Sequence, residues 1–210
     1  MRGWIIIGLL AIGTSAFRLW AVDPADSGAL AALDSFAQLS GQTENEPVLG
    51  MVGFFGQPQP PQWLILTDVI NQSGVMRESV VAGGTIVAER KFQRLPNQDM
   101  PDIPIDLASL KVDSGAVFKI VEKLAASRKV SFDSVHFQLR SRDLKNEAVW
   151  MLNLNNVGQV SVGILYVSAV SGELLRANWS NDPVDKYSSA DLPSKGAPTA
   201  SRSVRNANGQ

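Results

Sequence analysis

The stretch Asp26–Ala29, which reads Asp-Ser-Gly-Ala, recurs as Asp113–Ala116. Trp63 recurs as Trp150 at the same offset of 87 residues, and each tryptophan opens an apolar run. A repeated tetrapeptide alone can easily occur by chance, but a tryptophan at the identical spacing indicates a duplication. A repeat of this length predicts two copies of one supersecondary unit.

Each copy has the pattern of one helix followed by about four strands. In the first copy, an apolar stripe at helical spacing runs through residues 29–39, and Asp26 or Ser27 is placed to cap its first turn. In the second copy, Asp113 or Ser114 is placed to cap a helix from about residue 116 to about residue 127. Apolar segments separated by turn signals follow each helix and indicate antiparallel strands.

These patterns predict an α+β fold with two tandem repeats, each one helix packed on an antiparallel sheet of about four strands. The repeats span residues 22–92 and 107–180, and a proline-rich linker at 93–106 joins them. The pattern leaves open whether the two sheets join or pack separately. The polar tail at 181–210 has few large apolar residues and is expected to be disordered.

The N-terminal residues 1–21 have the layout of a secretory signal peptide: a basic start, an apolar run and small residues. Cleavage after Ala16 and cleavage after Ala21 both fit. The run is too short to cross a bilayer as a stable helix, so no stable membrane span is expected after cleavage. The chain is therefore expected to be exported, to the periplasm or to the medium.

The net charge and the cysteine content of the chain limit the classes of protein to which it can belong. The formal net charge is −1, which provides no basic surface for nucleic acid. The chain has no cysteine, so an exported fold must depend on packed cores, and an apolar content of 45% allows this.

The second copy resembles the PepSY domain family over residues 107–179. The matching segments are Leu110–Asp113 before the helix, Val149–Leu152, and Val167–Leu175 with its Ser-Gly-Glu turn. The first copy matches through Trp63–Leu66 and Gly83–Val87.

This resemblance implies an exported, non-catalytic α+β module. Tandem units of this kind are similar to the β-lactamase inhibitor protein fold, which presents a broad sheet surface. A peptidase is the partner class that the resemblance implies. It implies no residue-level site, and Ser168 stands where the family usually has aspartate.

The residues give little support for an enzyme or a metal site. His136 is the single histidine, and no Gly-x-Ser-x-Gly motif accompanies it. Asp99, Asp102 and Asp106 are interrupted by prolines and lack the glycine pivot of an oxygen-ligand loop. We therefore predict no catalytic residue, no cofactor and no metal.

Strand alternation separates a buried face from a polar one. Trp63 and Trp150 share strand faces with apolar residues, so we predict that both belong to the structural core. The polar face is the predicted partner-binding surface, and its named residues are His136, Gln138, Arg140, Asn153 and Arg176. A merely solvated sheet face is the competing interpretation.

Two functional hypotheses follow. The first is an exported, non-enzymatic protein-binding module that modulates a peptidase or an envelope protein through its open sheet face. The second is a structural or assembly component of the cell envelope without a discrete target.

Overall fold

The computed structural model describes residues 28–40, 46–98, 100–142 and 147–181. The predicted signal peptide and the predicted disordered tail, from residue 182 onward, lie outside these ranges. Two α-helices and eight strands are described, together with a single 3-10 turn at Leu107–Ser109. In chain order they are α1 (Ala29–Leu39), β1 (Val48–Gly56), β2 (Trp63–Asp68), β3 (Val75–Ala82), β4 (Thr85–Gln93), α2 (Ser114–Arg128), β5 (Ser134–Arg142), β6 (Glu147–Asn155), β7 (Ser161–Ser168) and β8 (Leu174–Trp179).

The predicted α+β fold of two tandem helix-on-sheet repeats is wrong. All eight strands form one sheet in the order β4-β3-β2-β1-β5-β6-β7-β8, and every neighbouring pair is antiparallel. The two halves join because β1 pairs with β5, with Met51 opposite Leu139. An unpaired strand edge exposes a row of backbone donors and acceptors, and this pairing satisfies them. The fold is therefore mainly β, with two helices on a continuous sheet.

A single hydrophobic core unites both helices with one face of the sheet. Phe36 of α1 and Val121 of α2 belong to the same buried cluster as Trp63, Phe137 and Trp150. The Trp63 and Trp150 rings lie 6.2 Å apart between centroids, and both tryptophans are buried. The Trp150 indole N–H donates to the backbone oxygen of Val112 at 2.8 Å, so its polar atom is satisfied inside the core.

The two helices are joined at their N-termini by side chains of α2. The backbone N–H of Ala29 donates to Ser114 Oγ at 2.9 Å, and that of Leu30 donates to Asp113 Oδ1 at 3.0 Å. Asp113 makes no capping bond to its own helix, although the sequence pattern had placed it there. The predicted alternative caps for α1, Asp26 and Ser27, lie outside the described residues. A Cβ on Gly28 would collide with the Asp113 carboxylate, so a larger residue there would displace the group that caps α1.

Because Gly53 has no side chain, aromatic residues of the two strands beside β1 can pack against each other. Gly53 lies opposite Trp63 on one side and Phe137 on the other, and those two rings are 5.8 Å apart between centroids. A Cβ on Gly53 would lie 2.7 Å from Trp63 Cζ3 and would also collide with Pro60. The contact between Trp63 and Phe137 therefore depends on the absence of a side chain at Gly53.

We predict that Gly53→Ala lowers the free energy of unfolding by about 1–3 kcal/mol, because the added methyl group overpacks the core. Gly158→Ala is the matched control, since the nearest heavy atom to its Cβ would be 3.4 Å away. Urea unfolding followed by tryptophan fluorescence measures both variants. Equal stability of the two would contradict the role given to Gly53.

Candidate functional site

The face of the sheet opposite α1 and α2, here called the open face, carries the predicted partner-binding residues. On β5, His136, Gln138 and Arg140 alternate with buried Val135, Phe137 and Leu139. The other two predicted residues also lie on the open face. Asn153 on β6 is directly opposite His136. Arg176 on β8 lies in the same cross-strand row as Gln138. The row runs from Gln138 through Met151 and Tyr166 to Arg176.

Sequence reasoning missed the apolar side chains on this face. The register places Leu64, Val52, Met151 and Tyr166 in one cross-strand row with Gln138, and all are partly exposed. The continuous apolar run of β1 could have indicated that both faces of this strand carry apolar side chains. Strands that are apolar at every position usually have both faces covered.

Part of the open face is covered by the predicted linker. Met100 packs against a small cluster of Leu49, Leu66 and Met76 at one end of the sheet. The Arg94 side chain holds this segment by donating to the backbone oxygen of Met100 at 2.7 Å. The segment therefore forms a wall beside β5 and leaves the surface over β5–β8 accessible.

An aromatic cluster marks the other end of the open face. Phe54 and Phe55, which are 44% and 53% exposed, meet the His136 ring edge-on with centroid distances of 5.3 and 4.8 Å. Both phenylalanines occupy a bulge in the β1–β5 pairing, and Phe55 adopts a left-handed backbone with φ 58°. Bulky residues rarely adopt that conformation, so the bulge presents these rings at a backbone cost.

His136 has an environment that disfavours its charged form. Partial burial lowers its pKa, and its Nε2 atom has no hydrogen-bond partner. General base catalysis requires an imidazole within reach of a nucleophile and oriented by a third group. No hydrogen bond of this kind to His136 occurs in the described part of the chain. The described neighbours of the His136 ring are the aromatic rings of Phe54 and Phe55.

A cleft of about 320 Å³ lies on the open face over β5–β8. We call it the arginine cleft because guanidinium groups of three arginines line it. Its lining residues are Arg140, Ser141, Arg142, Val149, Met151, Tyr166, Leu175 and Arg176. Two of the five predicted partner-binding residues, Arg140 and Arg176, therefore meet at one concave site.

A larger groove of about 800 Å³ lies on the helix side of the molecule. Phe118 and Phe132, whose rings are 5.9 Å apart, line it together with Gln57 and Pro58. None of the predicted partner-binding residues contributes to this groove.

The described residues contain no cluster of three metal-ligating side chains from histidine, cysteine, aspartate or glutamate. Asp99, one of the linker carboxylates considered above, lies outside them. Within the same ranges, no helix combines the length and apolar character needed to cross a membrane.

No family model matches the chain, and no curated protein is significantly similar to it. Among solved structures, the crystal structure of a candidate lipoprotein from Clostridium difficile 630 aligns with a TM-score of 0.48 and 10% identity. The alignment covers 70% of this chain and 90% of that chain. The resemblance to the PepSY family therefore stays a prediction.

We predict that the imidazole of His136 titrates below its ordinary pKa of about 6.5. As the single histidine, it gives one imidazole signal set in an NMR titration. The double change Phe54→Ala and Phe55→Ala should move the pKa back up, because it exposes the ring to water. Phe118→Ala, on the helix side, is the control and should leave the pKa unchanged.

Stability should follow the same titration. The unfolded chain binds the proton more readily than the folded one between the lowered pKa and the ordinary value. The free energy of unfolding should therefore fall as the pH falls through that window. A His136 pKa at or above the ordinary value would refute this environment.

Proposed function

We propose that this chain is an exported, non-enzymatic protein-binding module that recognises a protein partner through its open face. The observation that carries the proposal is the composition of the surface over β5–β8. Tyr166 and Met151 lie between Arg140 and Arg176 on that surface. Tyrosine, methionine and arginine are enriched in protein interfaces, whereas a purely solvated sheet face has no need of partly exposed apolar rows.

The sheet beneath this surface is rigid enough to present it. On the opposite face of the same strands, Leu139, Trp150, Leu152 and Leu165 are fully buried in the core. Side chains on packed strands lose less conformational entropy on binding than side chains on loops. A preorganised face of this kind favours recognition of a partner.

A peptidase is the partner class that we propose, on the strength of the PepSY resemblance. The exported location follows from the same resemblance together with the pattern of the N-terminal residues. The aromatic surroundings of His136, whose ring meets Phe54 and Phe55 edge-on, support a contact role for this end of the face.

The structural alternative is a component that assembles through its repeats or edges. Edge strand β4 argues against edge-to-edge assembly, because it presents the exposed charges of Glu89, Arg90 and Lys91. Charged side chains on an edge strand oppose pairing with a second sheet. The open face is therefore a better candidate for the binding surface than the β4 edge.

The test is photo-crosslinking in the producing cells with benzoylphenylalanine at Gln138 or Asn153, two open-face positions. We expect both positions to yield an adduct with the same protein, identified by mass spectrometry. The matched control is Glu122, an exposed position on α2, which should not yield that adduct.

Arg140→Glu in the crosslinking background should reduce the adduct, because it reverses the charge at the proposed contact surface. An adduct with a second copy of this chain would favour the assembly hypothesis. Equal yields from Glu122 and the open-face positions would refute recognition through the open face.

A further inference from the structure

The arginine cleft is positively charged although the chain as a whole is not. The formal net charge of the chain is −1, yet Arg140, Arg142 and Arg176 line one cleft whose other lining residues are uncharged. Local charge of one sign on a concave surface attracts oppositely charged groups independently of the net charge.

These guanidinium groups have spare hydrogen-bonding capacity. Neither Arg140 nor Arg142 forms an ion pair or side-chain hydrogen bond with any residue that the structure describes. The described ion pairs lie elsewhere, at Arg77–Glu46 and Arg90–Glu78. Arg176 donates only to the neutral side chain of Asn178, at 3.1 Å. Each guanidinium has five N–H donors, so most donors of these three arginines have no acceptor among the described residues.

Among the described residues, two nearby carboxylates form no ion pair with the arginines of the cleft. Glu147 lies opposite Arg142 in the β5–β6 pairing, but it accepts a hydrogen bond from Ser168 Oγ instead. Asp102 lines the neighbouring cleft with Arg140 and forms no ion pair with it.

The floor of the cleft is apolar. Val149, Met151 and Tyr166 form it, and Leu175 stands beside Arg176 at one wall. The strands that carry Arg140 and Arg176 are three strand spacings apart, about 14 Å, so the arginines rise from opposite walls. A volume of about 320 Å³ suits a few side chains and is too small for a folded element.

We infer, on the basis of the proposed recognition role, that the arginine cleft binds an extended acidic segment of the protein partner. Arg140 and Arg142 are two residues apart on β5, which separates their Cα atoms by about 7 Å. Carboxylates at alternate positions of an extended peptide have the same spacing. Two such carboxylates meet Arg140 and Arg142 on the β5 wall. The segment then crosses the floor of the cleft, where its apolar carbon atoms cover Met151 and Tyr166, and a further carboxylate meets Arg176 on the β8 wall.

The test uses the full chain and a fluorescein-labelled heptapeptide with blocked ends, in which three aspartates alternate with valines and alanines flank them. Fluorescence anisotropy at low salt should show binding that weakens as salt is raised, because exposed charge pairs are screened. The same peptide with asparagine in place of aspartate should bind at least about tenfold more weakly, as expected when charge-assisted hydrogen bonds are lost.

Matched variants locate the binding site. Arg140→Gln combined with Arg176→Gln should weaken binding of the aspartate peptide at least about tenfold. Lys119→Gln combined with Lys123→Gln removes the same charge from α2 and should leave affinity unchanged. All four side chains lie on the surface of regular elements, and an unchanged unfolding midpoint verifies that each variant is folded.

Three results would overturn this inference: no binding of the aspartate peptide, equal binding of both peptides, or equal weakening by both double variants. If the peptide test fails in one of these ways but the crosslinks at Gln138 and Asn153 still form, recognition through the open face would remain supported. If the crosslinks are absent too, both proposals would be contradicted: recognition through the open face and binding of an acidic segment.

Discussion

The pairing of β1 with β5 is the interaction on which the rest of the structure depends. It converts two four-stranded halves into one sheet, and it places Gly53 between Trp63 and Phe137 so that the aromatic core is continuous. A side chain at Gly53 would collide with its neighbours on the same face. The absence of one methyl group thus allows the two halves to share a core, and a shared core gives the open face a rigid support.

The helices reinforce this union through their first turns. The free amides at the start of α1 are satisfied by Asp113 and Ser114, which belong to the start of α2. Unsatisfied amides at a helix start cost stability, so α1 is most stable when the start of α2 is in place. Ser114 also donates to Gln59 in the β1–β2 connection at 2.7 Å, which connects the capping contact to the sheet.

The two ends of the open face suit different chemistry. One end presents Phe54, Phe55 and His136, and the other end presents the arginine cleft. An elongated partner that contacts both would place apolar side chains at the first end and carboxylates at the second. Apolar anchors supply most of the binding free energy in such interfaces, while charge complementarity sets register and partner choice.

Local features followed from the amino-acid pattern because they depend on neighbours along the chain. The bounds of α1 and the alternation of β5 are set by side chains two to four residues apart. The single sheet and the capping of α1 by Asp113 and Ser114 were not predicted, nor was the presence of Arg140 and Arg176 in one cleft. The first two features join residues up to 90 positions apart, as in the pair Gly50–Arg140. They use hydrogen bonds of backbone groups that are alike in every strand and at every helix start. Only the packed tertiary structure selects among such equivalent partners.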